Sequence, residues 1–192
     1  MGGHVRAKYL DTAPKAEPTE TGLSMQACSR RMASVVLGRS ERTVRRWCDD
    51  GTLRLVGSDA AGRALVSLDQ VLDMLDMLDP TAAARERWSR LVLDADSGDA
   101  DALACLGTEL LQQGLTAGAV SLLTEAAQQQ HADAMHWLSH CHLHGLGVER
   151  DADLALMWLH RAAAQGHAVA RAQSRALRQL SMRQQPGTPA AQ

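Results

Sequence analysis

The sequence predicts a mainly α-helical protein, in which a small winged helix-turn-helix unit precedes a solenoid of about two α-helical hairpins. Three observations carry this. The chain has no Phe, one Tyr and four Trp in 192 residues, so its core is built from Leu, Ala, Val and Met, a composition suited to close helix packing rather than a β-sandwich. A basic segment, Ser40-Glu-Arg-Thr-Val-Arg-Arg-Trp47, is entered through Leu37-Gly38 and left through Asp50-Gly51. Three similar junctions, Gly98-Asp-Ala-Asp-Ala102, Gln130-His-Ala-Asp-Ala134 and Gly166-His-Ala-Val-Ala170, begin 32 and then 36 residues apart, within the range of solenoid helical repeats.

Residues 1–23 carry Pro14, Pro18 and several Thr, Glu and Lys with little apolar content, too little to offset the entropy of ordering, and are expected to form a disordered tail. Residues 24–79 read as helix, turn, helix, two-stranded wing and helix. Gly38 suits the turn because it lacks a side chain that would resist a left-handed backbone. Ser40 is a good N-cap. Val44, Trp47 and Cys48 share one helical face, which leaves Arg42, Arg45 and Arg46 for the others. The wing is expected from Thr52–Val56 and Arg63–Val66, β-formers on either side of the turn material Gly57–Gly62. Ser67 and Gln70 form a capping-box pattern, after which Leu68, Val71, Leu72, Leu75 and Leu78 recur at helical spacing until Pro80.

Residues 81–183 form the repeats. Helix A carries Ala102, Leu103, Leu106 and Leu110 in one copy and Ala134, Leu138 and Cys141 in the next. Helix B carries Ala119, Leu122, Leu123, Ala126 and Ala127, then Ala155, Trp158, Leu159, Ala162 and Ala163. Small Ala at paired positions lets antiparallel helices approach closely. Thr81–Ser97, around Trp88, sits where a degenerate preceding helix B would lie, and Ala168 to about Arg183 reads as a closing helix A. Residues 184–192, with Pro186, Gly187 and Pro189, are expected to be a second disordered tail.

The formal net charge of −2 hides an asymmetry: between Gly22 and Val66 eight arginines face four carboxylates, so the remainder is acidic. A basic module beside an acidic one fits an electrostatic phosphate-binding footprint. Cys28, Cys48, Cys105 and Cys141 are widely separated, with no C-x-x-C pair, and read as reduced thiols. No apolar run suits a signal peptide or membrane span, so a cytoplasmic location without membrane attachment is expected. There is no G-x-S-x-G, no phosphate loop followed by Lys-Ser/Thr and no H-E-x-x-H, so the chain is not read as an enzyme.

Leu37-Gly38, Thr43-Val-Arg-Arg-Trp47, Gly51-Thr-Leu53, Gly62-Arg63 and Ser67-Leu-Asp69, in this order, resemble the winged helix-turn-helix of the MerR and excisionase group. The resemblance implies binding of double-stranded DNA and regulation of transcription. It places Arg39, Arg42, Arg45 and Arg46 towards DNA from the recognition helix and its entry, with Ser40 and Thr43 in the same candidate set, and makes Arg63 the wing residue that reaches the phosphates. Ala64 and Val66 depart from the family's wing, where arginine and tyrosine are usual. In such a motif the second helix enters the major groove and arginines neutralise phosphates; Arg45 or Arg46 is suited to reading guanine bidentately.

Residues Gly98 to Ala170 are similar to Sel-one-like repeats, short relatives of tetratricopeptide repeats, on Ala134, Leu138, Gly145-Leu-Gly147-Val148, Asp151, Ala155, Trp158, Ala162-Ala163 and Gly166. The earlier copy lacks the Gly-x-Gly-Val loop. This resemblance implies a protein-interaction scaffold, and by analogy with solenoids the concave face of the A helices, including His136, Ser139 and His140, is the candidate partner surface.

Two further features have competing readings. His136, His140 and His144 fall at i, i+4 and i+8, with His131, Cys141 and His142 nearby, which raises a metal site. No second pair of ligands stands at motif spacing, so no metal or cofactor is expected, and the histidines are read as groove lining with His142 in an aromatic core position. The Leu68–Leu78 seam is read as core packing, with homodimerisation as its alternative use. Together these readings give a DNA-binding transcriptional regulator whose repeats hold a protein partner. The alternatives are a protein-only adaptor using both modules and a metal-responsive regulator.

Overall fold

The computed structural model describes residues 26–75 and 81–184, as nine helices and one three-stranded sheet. The N-terminal tail, the residues from 185 onward, and the stretch containing Met77, Leu78 and Pro80 lie outside the described residues.

The chain enters through β1 (Ala27–Ser29) directly into α1 (Arg30–Val36), turns at Gly38 with φ +61°, and continues as α2 (Glu41–Asp49). Ser29 and Ser40 cap the two helices, their hydroxyls accepting from the Met32 and Thr43 amides, as Ser does at this position. Val44 is fully buried and Trp47 and Cys48 are half-buried against the core, so α2 is held by one narrow face. A hairpin follows, β2 (Leu55–Ser58) and β3 (Ala64–Ser67), and then α3 (Leu68–Asp73).

The sheet differs from the expected two-stranded wing. β3 is its centre, paired antiparallel with β1 through Cys28↔Val66 and with β2 through Leu55↔Val66. β1 is only three residues long, too short for an alternating pattern to register. β2 begins at Leu55 rather than Thr52 because Asp50 Oδ1 accepts from both the amide and the hydroxyl of Thr52, at 3.0 and 2.6 Å, which folds that segment into the turn after α2. The capping box does not form. Ser67 stands at the N-cap without a side-chain bond, and Gln70 Oε1 accepts from the Arg54 amide at 2.7 Å, tying α3 to the approach of β2. α3 ends at Asp73 with Met74 as its C-cap, short of the expected run to Leu78.

The remaining helices are α4 (Ala82–Asp96), α5 (Ala100–Gln112), α6 (Thr116–Gln128), α7 (Ala132–His144), α8 (Ala152–Ala164) and α9 (Ala168–Gln184). α5/α6 and α7/α8 are the two hairpins, α4 packs before them and α9 after them. The recurring junction has a direct physical meaning. Asp99, His131 and His167 are the N-caps of α5, α7 and α9, accepting from the amides of Ala102, Ala134 and Ala170. The two histidines accept through Nδ1, which leaves Nε2 to reach back one repeat, to Asp101 at 3.1 Å and to Asp133 at 3.3 Å. Each junction thus starts a helix, and the two histidine junctions also staple it to the preceding A helix.

One contiguous cluster of buried side chains runs from Cys28 and Val44 through Trp88, Leu106 and Leu123 to Leu159 and Ala170, so the N-terminal unit and the repeats share a core. Ser29 donates its amide and hydroxyl to the Asp96 carboxylate, at 2.7 and 2.5 Å. Arg31 pairs with Glu125, and Arg85 of α4 bonds Asp73 and the Asp69 carbonyl of α3. α6 lies against α1 where Gly118 meets Val35; a Cβ there would stand 2.8 Å from the Val35 carbonyl oxygen, so only glycine permits this spacing. Gly118→Val is expected to lower the unfolding free energy by about 1–3 kcal/mol through overpacking, read as a shift in urea midpoint at unchanged slope.

Candidate nucleic-acid and partner interfaces

α2 presents Arg42, Arg45 and Arg46 on its exposed side, and Arg39 is exposed at its entry. Among the described residues none of these four enters a salt bridge. Arg46 lies near enough to Asp50 to help hold that carboxyl below its usual range, a depression caused first by the Thr52 hydrogen bonds. Ser40 and Thr43 share a 2.9 Å hydroxyl contact beside the cap, so their polarity is spent on starting the helix. The entry to α2 faces a cleft of about 510 Å³, with Arg39 and Ser40 on one side and Thr116 and Ser121 of α6 on the other.

Arg63, the wing residue of the resemblance, is exposed and is engaged by a carboxylate of its own hairpin. Its Nε donates to Asp59 Oδ2 at 2.5 Å, and Nη1 stands 3.9 Å from Asp96. Asp59 also accepts from the amides of Ala61 and Arg63, so the carboxylate builds the turn and holds the guanidinium with it. These hydrogen bonds, Arg63's first, hold Asp59 below the usual carboxylate range.

The second candidate surface lies at the C-terminal hairpin. His136, Ser139 and His140 line one wall of a groove of about 470 Å³, with Leu156 of α8 and Gln173 and Leu177 of α9 opposite. Ser139 is buried and His140 exposed. The histidines do not converge. The His136 ring stacks on His167 of α9 at 4.4 Å, whereas His140 and His144 pair with each other at 4.4 Å. Among the described residues no group of three or more His, Cys, Asp and Glu is placed to hold a metal ion. His142 is half-buried and its Nδ1 has no partner. Burial pushes the Cys28 and Cys141 thiols up to about 12 and 11, with Asp96 adding to the first, which keeps both protonated and unreactive. Sequence reasoning missed the leucines of α8 and α9 that complete the groove, and the capping histidines. The repeated junction held the signal for the latter.

Helical hairpins stacked in register, each A helix begun by the same capped junction, define this part of the chain as an α-helical repeat array. Residues 132–167, which span α7, its glycine loop and α8, match the family model of the Sel1 repeat. No curated protein and no solved structure matches the chain. The Sel1 repeat points to a protein-protein interaction module without catalytic chemistry of its own. No helix among the described residues is long and apolar enough to cross a membrane.

Burial lowers the pKa of His136, His140 and His167 from 6.5, with His167 adding to the first and His144 to the second. Because the folded values lie below the unfolded one, the unfolded chain takes up more protons as pH falls through 6.5. The histidines' contribution is therefore full above that value and is lost as pH falls through their folded values. The melting temperature of the full chain is expected to drop on acidification through this window, and His136→Gln, which keeps a polar side chain but cannot titrate, is expected to flatten the drop.

Proposed function

We propose that residues 26–75 are a winged helix-turn-helix that binds duplex DNA, and that the helical repeats hold a protein partner, making the chain a transcriptional regulator. The observation that carries the DNA half is the side of α2 bearing Arg42, Arg45 and Arg46, with Arg39 at its entry. These side chains are solvent-exposed on a well-capped helix and are not consumed by salt bridges among the described residues. Four neighbouring guanidinium groups on one short helix and its entry leave cationic capacity for phosphates, whose neutralisation supplies sequence-independent affinity, while one or two arginines in a major groove read guanine edges. Three parts support the docking geometry: an anchored inner face of Val44 and Trp47, a turn at Gly38, and a hairpin beyond.

Arg63 has a different part in this reading. Because Asp59 already holds it, the hairpin approaches DNA with little net charge, and the positive field is concentrated on α2. The repeats contribute the second half through the Sel1 match. A protein-only adaptor is the competing reading, favoured by the neutralised hairpin.

The test uses the full chain, since residues 26–75 share their core with α4 and α6. Binding to a pool of random duplexes, followed by fluorescence anisotropy across a salt series, is expected to give steeply salt-dependent affinity. The double variant Arg45→Ala/Arg46→Ala is expected to lower the slope of log K against log salt by about two, one for each phosphate no longer neutralised. Equal binding by wild type and variant would reject α2 as the DNA-contacting helix, and no binding by either at low salt would reject the DNA-binding reading and leave the adaptor.

A further inference from the structure

α9 closes the repeat stack on very little buried surface. Of its side chains from Ala168 to Leu180, Ala170 and Ser174 alone are buried and Val169 is half-buried; Arg171 to Gln173 and Arg175 to Leu180 are exposed. Neither buried residue holds the helix firmly. Alanine offers a single methyl group, and the enclosed Ser174 hydroxyl has no partner, which destabilises. α7, by contrast, buries Met135, Leu138 and Cys141 besides Ala134. An element with so few apolar contacts belongs to the low-stability end of a fold, so the polar contacts at its start carry a large share of its docking.

Those contacts meet on one imidazole. His167 Nδ1 accepts from the Ala170 amide at 3.1 Å, Nε2 lies 3.3 Å from Asp133 Oδ1, and the ring stacks on His136 at 4.4 Å with the planes 20° apart. The geometry fixes the protonation state. A ring nitrogen that accepts an amide proton carries none of its own, so Nδ1 is bare and Nε2 bears the proton directed at Asp133. A second proton, on Nδ1, removes the cap. It also places a cation at the positive end of the helix dipole, where the first turn of α9 has no acidic residue. The titratable groups facing His167 are Asp133 and His136, both of α7, and His136 in turn meets Asp133 and His140 of its own helix. α8, the other helix against which α9 packs, adds none to the shift of either ring among the described residues. Asp133 favours the imidazolium, but burial outweighs it and holds His167 below 6.5; burial first, then His167, does the same to His136. The cap of α5 lacks this sensitivity, because Asp99 accepts from Ala102 with a carboxylate, a group ionised down to about pH 4.

We propose that α9 is an acid-released closing helix: it rests on the α7/α8 hairpin while His136 and His167 are neutral, and lets go when they are protonated. Release takes up a proton on each ring, so opening is favoured increasingly as acidity rises. Both rings titrate lower docked than free, so docking is fully favoured above 6.5 and weakens as pH falls through the docked values. The structural consequence is local. α9 supplies Gln173, Ala176 and Leu177 to the groove, so its departure removes one wall and bares Ala155 and Leu159 of α8, changing the surface that the repeats offer to a partner. The device goes beyond the proposed function and does not depend on its DNA half.

The test is amide hydrogen exchange of the full chain between about pH 7.5 and about pH 5.5, corrected for the intrinsic pH dependence of exchange. Protection of the α9 amides from Arg171 to Arg175 is expected to fall on the order of tenfold, the factor for one ring that titrates near 6.5 only in the released state, while the α5 amides keep theirs. The double variant His136→Gln/His167→Asn, in which Asn caps without titrating, is expected to keep α9 equally protected at both values. Unchanged α9 protection in the wild type, an equal fall in α5, or an equally steep fall in the double variant would overturn the proposal. Nitrogen NMR of the imidazoles decides it even where the double variant fails to dock α9. His167 is expected in the Nε2–H form near neutral pH, with a titration midpoint below that of a free histidine. The Nδ1–H form, or a midpoint at or above the free value, would overturn the proposal.

Discussion

One serine holds the two halves of the molecule in a single frame. Ser29 ends β1, caps α1 and donates two hydrogen bonds to Asp96. Its hydroxyl works in both directions, giving its proton to the carboxylate and accepting the Met32 amide. Asp96 closes α4, the end where a helix dipole disfavours negative charge, and its side chain is only 12% exposed. A carboxylate so placed persists only because donors surround it, and Ser29 supplies two while Arg63 stands at 3.9 Å. Strand, helix and repeat stack are thus fixed relative to each other by a contact between residues 67 positions apart. Everything built on α1, including the orientation of α2, inherits that frame.

The parts of this architecture that sequence reading recovers are those governed by local physics. α2 followed from Ser40, a turn glycine and the spacing of Val44 and Trp47, all interactions within one helix. The hairpins followed from alanine and leucine periodicity, and α4 and α9 from their place in the repeat frame. What escaped was set by distant partners. β1 exists because β3 pairs with it, not because three residues prefer extension. Gln70 abandons the capping box because the Arg54 amide, sixteen residues away, offers a partner.

The candidate surfaces divide along the same line. The arginines of α2 were legible because an exposed face is what remains once the buried one is identified. His136, Ser139 and His140 were legible as one face of a helix, but the opposing walls were not, since they come from α8 and α9. The histidine ladder shows why spacing alone misleads. Residues at i and i+4 share a face, yet His136 turns to a ring on another helix and leaves His140 to pair with His144. A metal site needs convergence in space, and stacking has taken the rings elsewhere.

The capping histidines also give the array a direction of growth. Residues 132–167 carry, at their start, the neighbourhood of a cap that reaches back to Asp101 and, within α7, the Asp133 that receives the next cap. A tandem copy of this unit placed before α9 would bring both halves of the staple with it, because the copy's own junction would meet Asp133 and the following one would meet the copied aspartate. At the other end of the stack the tie is of a different kind, through Asp96 at the close of α4, which Ser29 holds. The molecule therefore has an interior position at which the repeat frame can lengthen with its staple intact.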